Sequence, residues 1–184
     1  MTLWSVSANL KGIVLPKKPN SARGRKLSLA QNRSPSFRGF KAVSSLTSRT
    51  KKANCATDTL HELILANRLR RLGLNFRRHV EDLPGKPDLV FHAAQVAVFC
   101  DGDFWHGRNW RVLRTRLARG SNAKYWVAKI SCNISRDRRV NLELARLDWC
   151  ALRVWEGDVR QSPEKVANRI AHLVRRRLQR RIGE

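Results

Sequence analysis

The chain is poor in acidic residues. Of its 184 residues, 38 are Lys or Arg and only 14 are Asp or Glu, which leaves a formal net charge of +24 at pH 7. This scarcity of negative charge argues against an acidic binding surface and makes a simple metabolic enzyme a poor fit. Positive charge on this scale most often serves a polyanion. Nucleic acid is the leading candidate, because Lys and Arg contacts to phosphates release counterions.

Long apolar runs and paired cysteines are also missing. The most apolar run, residues 89–100, contains His92 and Gln95 and falls short of the roughly 20 residues that a bilayer requires. The four cysteines, at positions 55, 100, 132 and 150, form no C-x-x-C pair, which leaves little support for a zinc site built from cysteine alone. Without a recognisable secretory signal, we expect reduced thiols and a cytoplasmic location.

The first 50 residues contain no Asp or Glu, and their frequent serines and scattered prolines break any periodicity. A segment of this composition buries too little apolar surface to offset its ordering entropy. We therefore predict a disordered basic tail over residues 1–52. The tail fits an arm against the DNA backbone, although a plain extension or an organelle transit peptide has the same composition.

Hydrophobic periodicity predicts an α/β fold with a central mixed sheet flanked by helices, in the order α-β-β-β-α-β-α. Helices are expected over residues 58–72, over 123–147 and from Ser162 onward, the last with Pro163 in its first turn. Strands are expected over residues 76–80, 88–91, 96–101 and 151–155. The second and third of these strands form a hairpin, and a loop with Trp105, Gly107 and Trp110 follows it.

Carboxylates stand at both ends of the predicted hairpin. Asp88 opens its first strand directly after a Pro-Gly turn, and Asp101 ends its second strand next to Cys100. Pairing would bring these positions together, and two carboxylates with a backbone carbonyl form a hard oxygen site suited to Mg²⁺. Glu62 could be an outer carboxylate, although its capping-box spacing from Thr59 also fits a plain helix cap. Asp88 alone could likewise simply cap its turn.

A histidine between aromatic residues and a glycine follows the third strand, in the run Phe104-Trp105-His106-Gly107. Imidazole is the side chain best suited to take a proton from water near neutral pH, although a lone histidine is more often structural. Two consecutive aromatic residues cannot easily both face a core, and aromatic wedges open DNA by inserting between base pairs. Trp126, in the predicted long helix, is a third candidate wedge.

The long helix carries a polar row. Lys129, Asn133 and Asp137 are spaced i, i+4 and i+8 and so share one face. Such a row is usually a solvated surface, but apolar neighbours such as Ile130 indicate a buried helix, so the row also fits the wall of a cleft. Arg136, with two further arginines close by, offers phosphate contacts.

Taken together, these segments resemble the very short patch repair (Vsr) family of DNA mismatch endonucleases. The matching motifs are T-L-H-E at 59–62, L-P-G-K-P-D-L-V-F at 83–91, V-F-C-D-G-D-F-W-H-G at 98–107, Y-W-V-A-K at 125–129, N-I-S-R-D-R-R at 133–139 and L-R-V-W-E at 152–156. The resemblance implies that residues 53–184 form a restriction-endonuclease-like domain of the PD-(D/E)xK class. It also implies Mg²⁺-dependent nicking of one DNA strand beside a T:G mispair.

The resemblance implies a role for each matched residue. Asp88 would be the principal metal ligand and the backbone carbonyl of Cys100 the second protein ligand. His106 would be the general base, oriented by Asp137, and Glu62 the catalytic glutamate near the N-terminus of the domain. The family's intercalating aromatic residues would correspond to Phe104, Trp105 and Trp126.

The sequence departs from the family pattern at two places. Members usually carry a structural zinc bound by Cys and His, and the matching positions here are Asp103, Arg108, Trp110 and Gly157. None of these can supply a thiolate or an imidazole, so we expect no structural zinc. Asp101 replaces a histidine of some members and could add a carboxylate to the metal site, as in a general PD-(D/E)xK nuclease.

Three functions stay open at this point. The first is a T:G mismatch nickase acting as a monomer on double-stranded DNA in the bacterial cytoplasm, at the nucleoid. The second is a nuclease of the same core with another target, such as a homing, mobile-element or defence nuclease. The third is a non-catalytic DNA-binding module, against which the joint presence of Asp88, His106 and Asp137 argues.

Overall fold

A computed structural model describes Pro35 and residues 59–183. Apart from Pro35, the predicted tail over residues 1–52 lies outside the described residues. The helices are α1 Leu60–Arg71, α2 Trp110–Ala118, α3 Ala123–Arg146, α4 Glu156–Gln161 and α5 Pro163–Ile182. The strands are β1 Arg77–Arg78, β2 Leu89–Phe91, β3 Val96–Asp101 and β4 Cys150–Trp155. No helix among the described residues is long and apolar enough to cross a membrane.

The strands form one mixed sheet in the order β1-β2-β3-β4. β1 pairs antiparallel with β2, and β2 pairs antiparallel with β3, which confirms the predicted hairpin. β3 and β4 are parallel, with a register that runs from Val96 beside Cys150 to Asp101 beside Trp155. Because parallel neighbours end at the same edge of a sheet, the chain leaves β3 and β4 at one place, and the candidate site residues gather there.

The sheet is the middle layer of three, as the predicted α/β class requires. Side chains alternate between the faces of a strand, and β3 shows this clearly. Val96 and Val98 belong to the larger core cluster, with residues of α1 and α5 such as Leu65 and Ile170. Phe99 instead packs on α3, in a smaller cluster with Val140 and Leu144. Consecutive residues at the end of β3 therefore reach different helices.

Two helices were not predicted. Residues 110–118 were expected to belong to a loop but form α2, in which Trp110, Leu113 and Leu117 are spaced i, i+3 and i+7 and only Leu113 is buried. The six-residue helix α4 buries only Val159. The apolar stripe of α2 was overlooked, whereas α4 is too short for a periodic pattern.

Some predicted boundaries also need correction. The strand expected over residues 76–80 is only Arg77–Arg78, because the next residue, His79, has φ = 49° and leaves the extended conformation. Thr59 does precede α1, but its hydroxyl donates a hydrogen bond to Glu62 Oε1 at 2.6 Å instead of accepting one from a helix N–H. The predicted capping box is therefore wrong in its hydrogen bonding, since Glu62 is turned into the interior with only 3% of its surface exposed.

Candidate active site

A cleft of about 990 Å³ opens where β3 ends. Its lining includes all five titratable residues that the sequence put forward as catalytic groups or side-chain metal ligands, namely Glu62, Asp88, Asp101, His106 and Asp137. These residues come from α1, the β2–β3 hairpin, the loop after β3, and α3. Residues that lie up to 75 positions apart in the chain thus face one cavity, whose volume lies within the range usual for ligand sites.

At the end of β3, the consecutive residues Cys100 and Asp101 point to opposite faces of the sheet. Asp101 follows Phe99 on the α3 face, where it lies near His106. Cys100 points the other way, and its carbonyl lies 3.4 Å from Nε2 of His61 on α1. Burial raises the pKa of the Cys100 thiol well above its ordinary value. The sulfur is therefore a protonated thiol, and the carbonyl oxygen is the ligand atom that Cys100 can offer.

The first half of the cleft is a group of acidic residues beside α1. Asp88 Oδ2 accepts a hydrogen bond of 2.7 Å from the Cys100 N–H, across the hairpin. Ligand atoms of Glu62, His79 and Asp88 all lie within 4.8 Å of one another. The sequence did not indicate His79, because only its left-handed backbone conformation at the end of β1 turns the chain there. Such conformations on residues other than glycine are concentrated at functional sites.

Electrostatics in this half of the cleft disfavour a bare negative charge. Burial raises the pKa of the Asp88 carboxyl from 3.8 to about 6. The Cys100 N–H opposes this rise, while the negative charge of the neighbouring Glu62 adds to it. A carboxylate held in this way is stabilised by a cation, and the available oxygen donors are those that hard divalent ions prefer.

The second half of the cleft is a histidine–aspartate pair. His106 Nδ1 lies 2.7 Å from Asp137 Oδ2 and 3.4 Å from Asp101 Oδ1. Because a carboxylate only accepts, Nδ1 carries the hydrogen in this pair, and Nε2 is left as the proton acceptor. Burial alone would raise the pKa of Asp137, but the hydrogen bond from His106 and the nearby charges of His106, Arg153 and Arg136 lower it below its ordinary value.

Arg153 on β4 is a second residue of the site, after His79, that sequence reasoning missed. Its Nη1 donates hydrogen bonds to both oxygens of Asp101, at 2.8 and 2.9 Å. Its Nη2 lies 3.3 Å from Asp137 Oδ1, and its guanidinium carbon lies 4.4 Å from the centre of the Phe99 ring. The parallel register explains the placement, because Arg153 is the direct partner of Phe99, two residues before Asp101.

The position of Arg153 bears on the predicted metal set. Both Asp101 oxygens are engaged by the guanidinium, so Arg153 competes with any cation for this carboxylate. The role of Asp101 as a metal ligand stays a prediction. A signal for Arg153 was present in the sequence, because it is a charged residue inside the otherwise apolar run Ala151-Leu152-Arg153-Val154, and a charge within a strand of this kind is rarely buried without a partner.

The three predicted wedge residues form one aromatic cluster. The ring centres of Phe104 and Trp105 are 5.2 Å apart, and each lies within 6 Å of Trp126, at 5.5 and 5.9 Å. Trp105 is the exposed member, with 38% of its surface accessible. Phe104 and Trp105 directly precede His106 in the chain, so an exposed indole stands beside the histidine–aspartate pair.

The remaining residues that were predicted to contact DNA do not all line the cleft. Arg136 lines the cleft and is largely exposed. Asn133 does not line it; its side-chain amide donates a hydrogen bond of 2.9 Å to the Trp105 carbonyl and so anchors the aromatic loop to α3. Lys129 lies on the same helix but outside the cleft lining. The predicted polar row therefore reaches the cleft only at its Asp137 end.

Comparisons with known proteins find similar endonucleases. The family model described as DNA mismatch endonuclease Vsr matches residues 44–112. The type II nicking enzyme V.HpaIIP of Haemophilus parainfluenzae is 38% identical over 116 residues, which cover 63% of this chain and 81% of that protein. The type II nicking enzyme V.NmeDIP of Neisseria meningitidis serogroup C is 37% identical over 124 residues, or 67% and 82% of the two chains.

A mismatch endonuclease is also among the similar proteins. The DNA mismatch endonuclease Vsr of Escherichia coli strain K12 is 36% identical over 109 residues, which cover 59% of this chain and 68% of that protein. The resemblance, the restriction-endonuclease-like fold class and the assignment to the endonucleases, all predicted from the sequence, are thereby confirmed. The chain belongs to the Vsr family of DNA mismatch endonucleases.

Proposed function

We propose that this protein is a Mg²⁺-dependent endonuclease that nicks one strand of duplex DNA at a T:G mismatch. The observation that carries the proposal is the meeting of two half-sites in one cleft. The Glu62–Asp88 carboxylates stand on one side, and the His106–Asp137 pair stands on the other. Hydrolysis of a phosphodiester needs both functions, a means to stabilise charge on the phosphate and a base for the attacking water.

The residues of the first half fit a magnesium ion. Asp88 and the Cys100 carbonyl would hold it, with Glu62 as an outer carboxylate, and these donors are hard oxygens. The raised pKa of Asp88 shows that burial makes its charge costly in the protein alone, which is the situation that a cation relieves. When bound, Mg²⁺ would supply positive charge that stabilises the phosphate as its negative charge increases during hydrolysis.

The second half is arranged for proton transfer. His106 Nε2 takes a proton from the attacking water, and Asp137 keeps the ring oriented through the 2.7 Å bond at Nδ1. The imidazolium that forms is stabilised by the Asp137 carboxylate. Arg153 favours the charged form of that carboxylate from its other side. His106 and Asp137 are therefore the general base and the residue that orients it.

The aromatic cluster supports recognition of a mispair. We propose that Phe104, Trp105 and Trp126 form a wedge between base pairs, because Trp105 is exposed beside the histidine–aspartate pair. A mispaired step costs less to unstack than a matched one, which links insertion of a wedge to mismatch discrimination. Arg136, Lys129 and the residues of the tail over 1–52 would contact phosphates, and Asn133 would hold the wedge in place.

A nuclease of the same core with another DNA target is the second candidate. It is favoured by the names of the relatives, several of which are called type II nicking enzymes rather than mismatch endonucleases. Both candidates share the catalytic groups and differ only in the DNA that reaches them.

Four further features complete the proposal. One chain supplies both half-sites, so we propose a monomer, and we place it with the DNA of a bacterial cytoplasm, since its named relatives are bacterial. Residues 53–184 would be the endonuclease domain. We propose that it needs no structural zinc, because Asp103, Arg108, Trp110 and Gly157 offer no thiolate or imidazole.

A strand-specific nicking assay tests this function. The substrates are a duplex with a single T:G mispair and the matched T:A duplex, each with Mg²⁺ and with a chelator. We expect a metal-dependent nick beside the mispaired T and none in the matched duplex. Equal cutting of both duplexes would favour the second candidate, and binding without any cutting would favour a DNA-binding module.

A further inference from the structure

The loop over residues 102–109 carries His106 and the exposed Trp105. Hydrogen bonds between its own backbone groups close the loop into a compact turn. The Arg108 N–H donates to the Asp103 carbonyl at 2.9 Å, and the His106 N–H donates to the Gly102 carbonyl at 3.1 Å. This ring of hydrogen bonds brings Asp103 and Arg108 side by side at the base of the loop. Their side chains then face the start of α4, which lies about 50 residues further along the chain.

Charged groups join the two segments there. Arg108 Nη2 donates to Asp158 Oδ1 at 2.5 Å, and its Nη1 lies 3.4 Å from Asp103 Oδ1. The same Asp103 oxygen accepts the backbone N–H of Gly157 at 3.3 Å. A guanidinium with several donors in a fixed plane is the group suited to bridge two carboxylates in this way. The bonds link a loop to a helix that follows a different strand.

Gly157 shows how closely the loop approaches α4. A Cβ atom at this position would lie 2.5 Å from Asp103 Oδ2 and 2.7 Å from Arg108 Nη1. Both distances are shorter than non-bonded atoms tolerate, so any side chain at residue 157 would push the two charged groups aside. A glycine at this place therefore permits the contact between the loop and the backbone of α4.

We propose that Asp103, Arg108 and Asp158 form an ionic clasp that fixes the aromatic loop to α4 and so positions Trp105 and His106 for their work on DNA. The name ionic clasp refers to these three residues. They are positioning residues, because none of them touches the reacting atoms. The inference rests on the proposed function for its consequence in DNA recognition, whereas the clasp itself is a property of the free protein.

The position of the clasp explains why the loop needs it. On its α3 side the loop is held by the bond from Asn133 to the Trp105 carbonyl, and the clasp supplies a second anchor on the opposite side of the turn. Trp105 packs against Phe104 and Trp126 but keeps 38% of its surface in water. Anchors on both sides hold the indole outward and spare DNA binding the entropy of ordering the loop.

Each pair in the clasp is partly exposed and would contribute little to global stability by itself. Side-chain exposures of 31% for Arg108, 41% for Asp103 and 38% for Asp158 make this clear. We therefore expect loss of the clasp to loosen the loop without unfolding the domain. This separates a positioning role from a general stabilising role.

The test compares two arginines that each form an ion pair with an acidic residue of α4. Arg108→Gln removes the clasp, and Arg160→Gln removes the 2.6 Å pair between Arg160 and Glu156, which lies within α4 and does not involve the loop. Hydrogen exchange of the peptide that covers residues 102–109 is measured in the full chain without DNA. We expect exchange to rise about tenfold in Arg108→Gln and to stay unchanged in Arg160→Gln, with equal urea midpoints for the two variants. Equal exchange in the two variants would overturn the clasp.

A second measurement follows its consequence for DNA. A 2-aminopurine base next to the T:G mispair reports unstacking by its fluorescence, and a chelator prevents cleavage during the measurement. We expect the fluorescence gain to fall at least threefold in Arg108→Gln, with unchanged affinity for matched duplex, and to recover in part in Arg108→Lys, which keeps the charge but not the planar fork. Undiminished fluorescence in Arg108→Gln would refute the positioning role.

The two measurements distinguish failure of the clasp from failure of the proposed function. If the wild-type protein shows no response to the mispair, the mismatch function fails, and the exchange experiment still decides whether the clasp exists. If the wild type responds and Arg108→Gln exchanges and fluoresces like Arg160→Gln, the mismatch function stands and the clasp is refuted.

Discussion

Replacement of Arg153 by Met should destabilise the fold far more than the loss of an exposed ion pair. The methionine keeps a long apolar side chain over the Phe99 ring but removes both hydrogen bonds to Asp101 and the contact with Asp137. Asp101 is only 3% exposed, and the Arg153 side chain is 17% exposed. Breaking a buried pair by removing one partner costs about 3–5 kcal/mol, and the residual exposure of Arg153 favours the lower end, about 3 kcal/mol.

Urea unfolding at neutral pH measures this cost against two controls. Arg160→Met removes the exposed pair with Glu156 and should cost less than about 1 kcal/mol. The double variant Asp101→Asn with Arg153→Met removes the buried carboxylate charge together with its partner. It should regain at least half of the stability that Arg153→Met loses, because the main penalty is the unpaired charge of Asp101.

Nicking provides an independent readout of the same change. Arg153 lies against the outer oxygen of Asp137, so its loss should let the histidine–aspartate pair move and lower the nicking rate by about tenfold or more. The reasoning would be refuted if Arg153→Met were no less stable than Arg160→Met. It would be refuted also if the double variant were no more stable than Arg153→Met, since the penalty would then not come from an unpaired carboxylate.

Four further predictions concern single features. Asp88→Asn should abolish nicking and spare DNA binding. The raised pKa of Asp88 means that ionisation of this carboxyl destabilises the metal-free fold as pH rises from about 4 through 6. The variant should therefore be more stable than the wild type by about 1–3 kcal/mol at pH 7, measured by urea unfolding with a chelator. Unchanged turnover would exclude Asp88 as the metal ligand. His106→Ala should lower the nicking rate by roughly 10²–10⁴ at neutral pH, with an unchanged rate excluding a general base there. Removal of residues 1–52 should reduce both duplex affinity and the steepness of its salt dependence, and an unaltered salt slope would show that the tail is not an arm. Elemental analysis of purified protein should find no stoichiometric zinc, whereas one zinc per chain would contradict our interpretation of Asp103 and Arg108.

The sequence predicts the fold best where an element has a continuous or periodic apolar pattern. β3 was predicted over the residues that it occupies, because Val96–Asp101 is a continuous apolar run that ends at an acidic residue. The long helix was placed within one residue, and Pro163 marks the start of α5 as expected. α2 escaped prediction although Trp110, Leu113 and Leu117 share one face, because this stripe spans only about two turns.

The catalytic candidates were predictable because their motifs are local. Asp88 and His106 each stand beside glycine, aromatic or turn residues that mark an unusual position, and the hairpin brings the first of them to Cys100. Arg153 could not be assigned a partner in this way. Its contact with Asp101 depends on the parallel register of β3 and β4, and register between strands separated by about 50 residues cannot be deduced from either strand alone. His79 was missed because its location depends on a backbone conformation.

The distribution of charge explains how a strongly basic protein could accommodate the proposed cation. Six of its 14 acidic residues line the candidate active-site cleft, namely Glu62, Glu81, Asp88, Asp101, Asp137 and Glu156. On the α3 side of that cleft the carboxylates already have partners within the protein, since Arg153 and His106 contact both Asp101 and Asp137.

On the α1 side, Asp88 accepts its hydrogen bond from an uncharged donor, the Cys100 N–H, and burial raises the pKa of its carboxyl. We therefore expect a divalent ion to be stabilised most beside Asp88, away from Arg153. Exposed arginines such as Arg136 remain available to attract the DNA backbone. The proposed metal would then lie on the α1 side of the cleft and the proposed general base on its α3 side, and metal-assisted attack of water on a phosphodiester uses both functions.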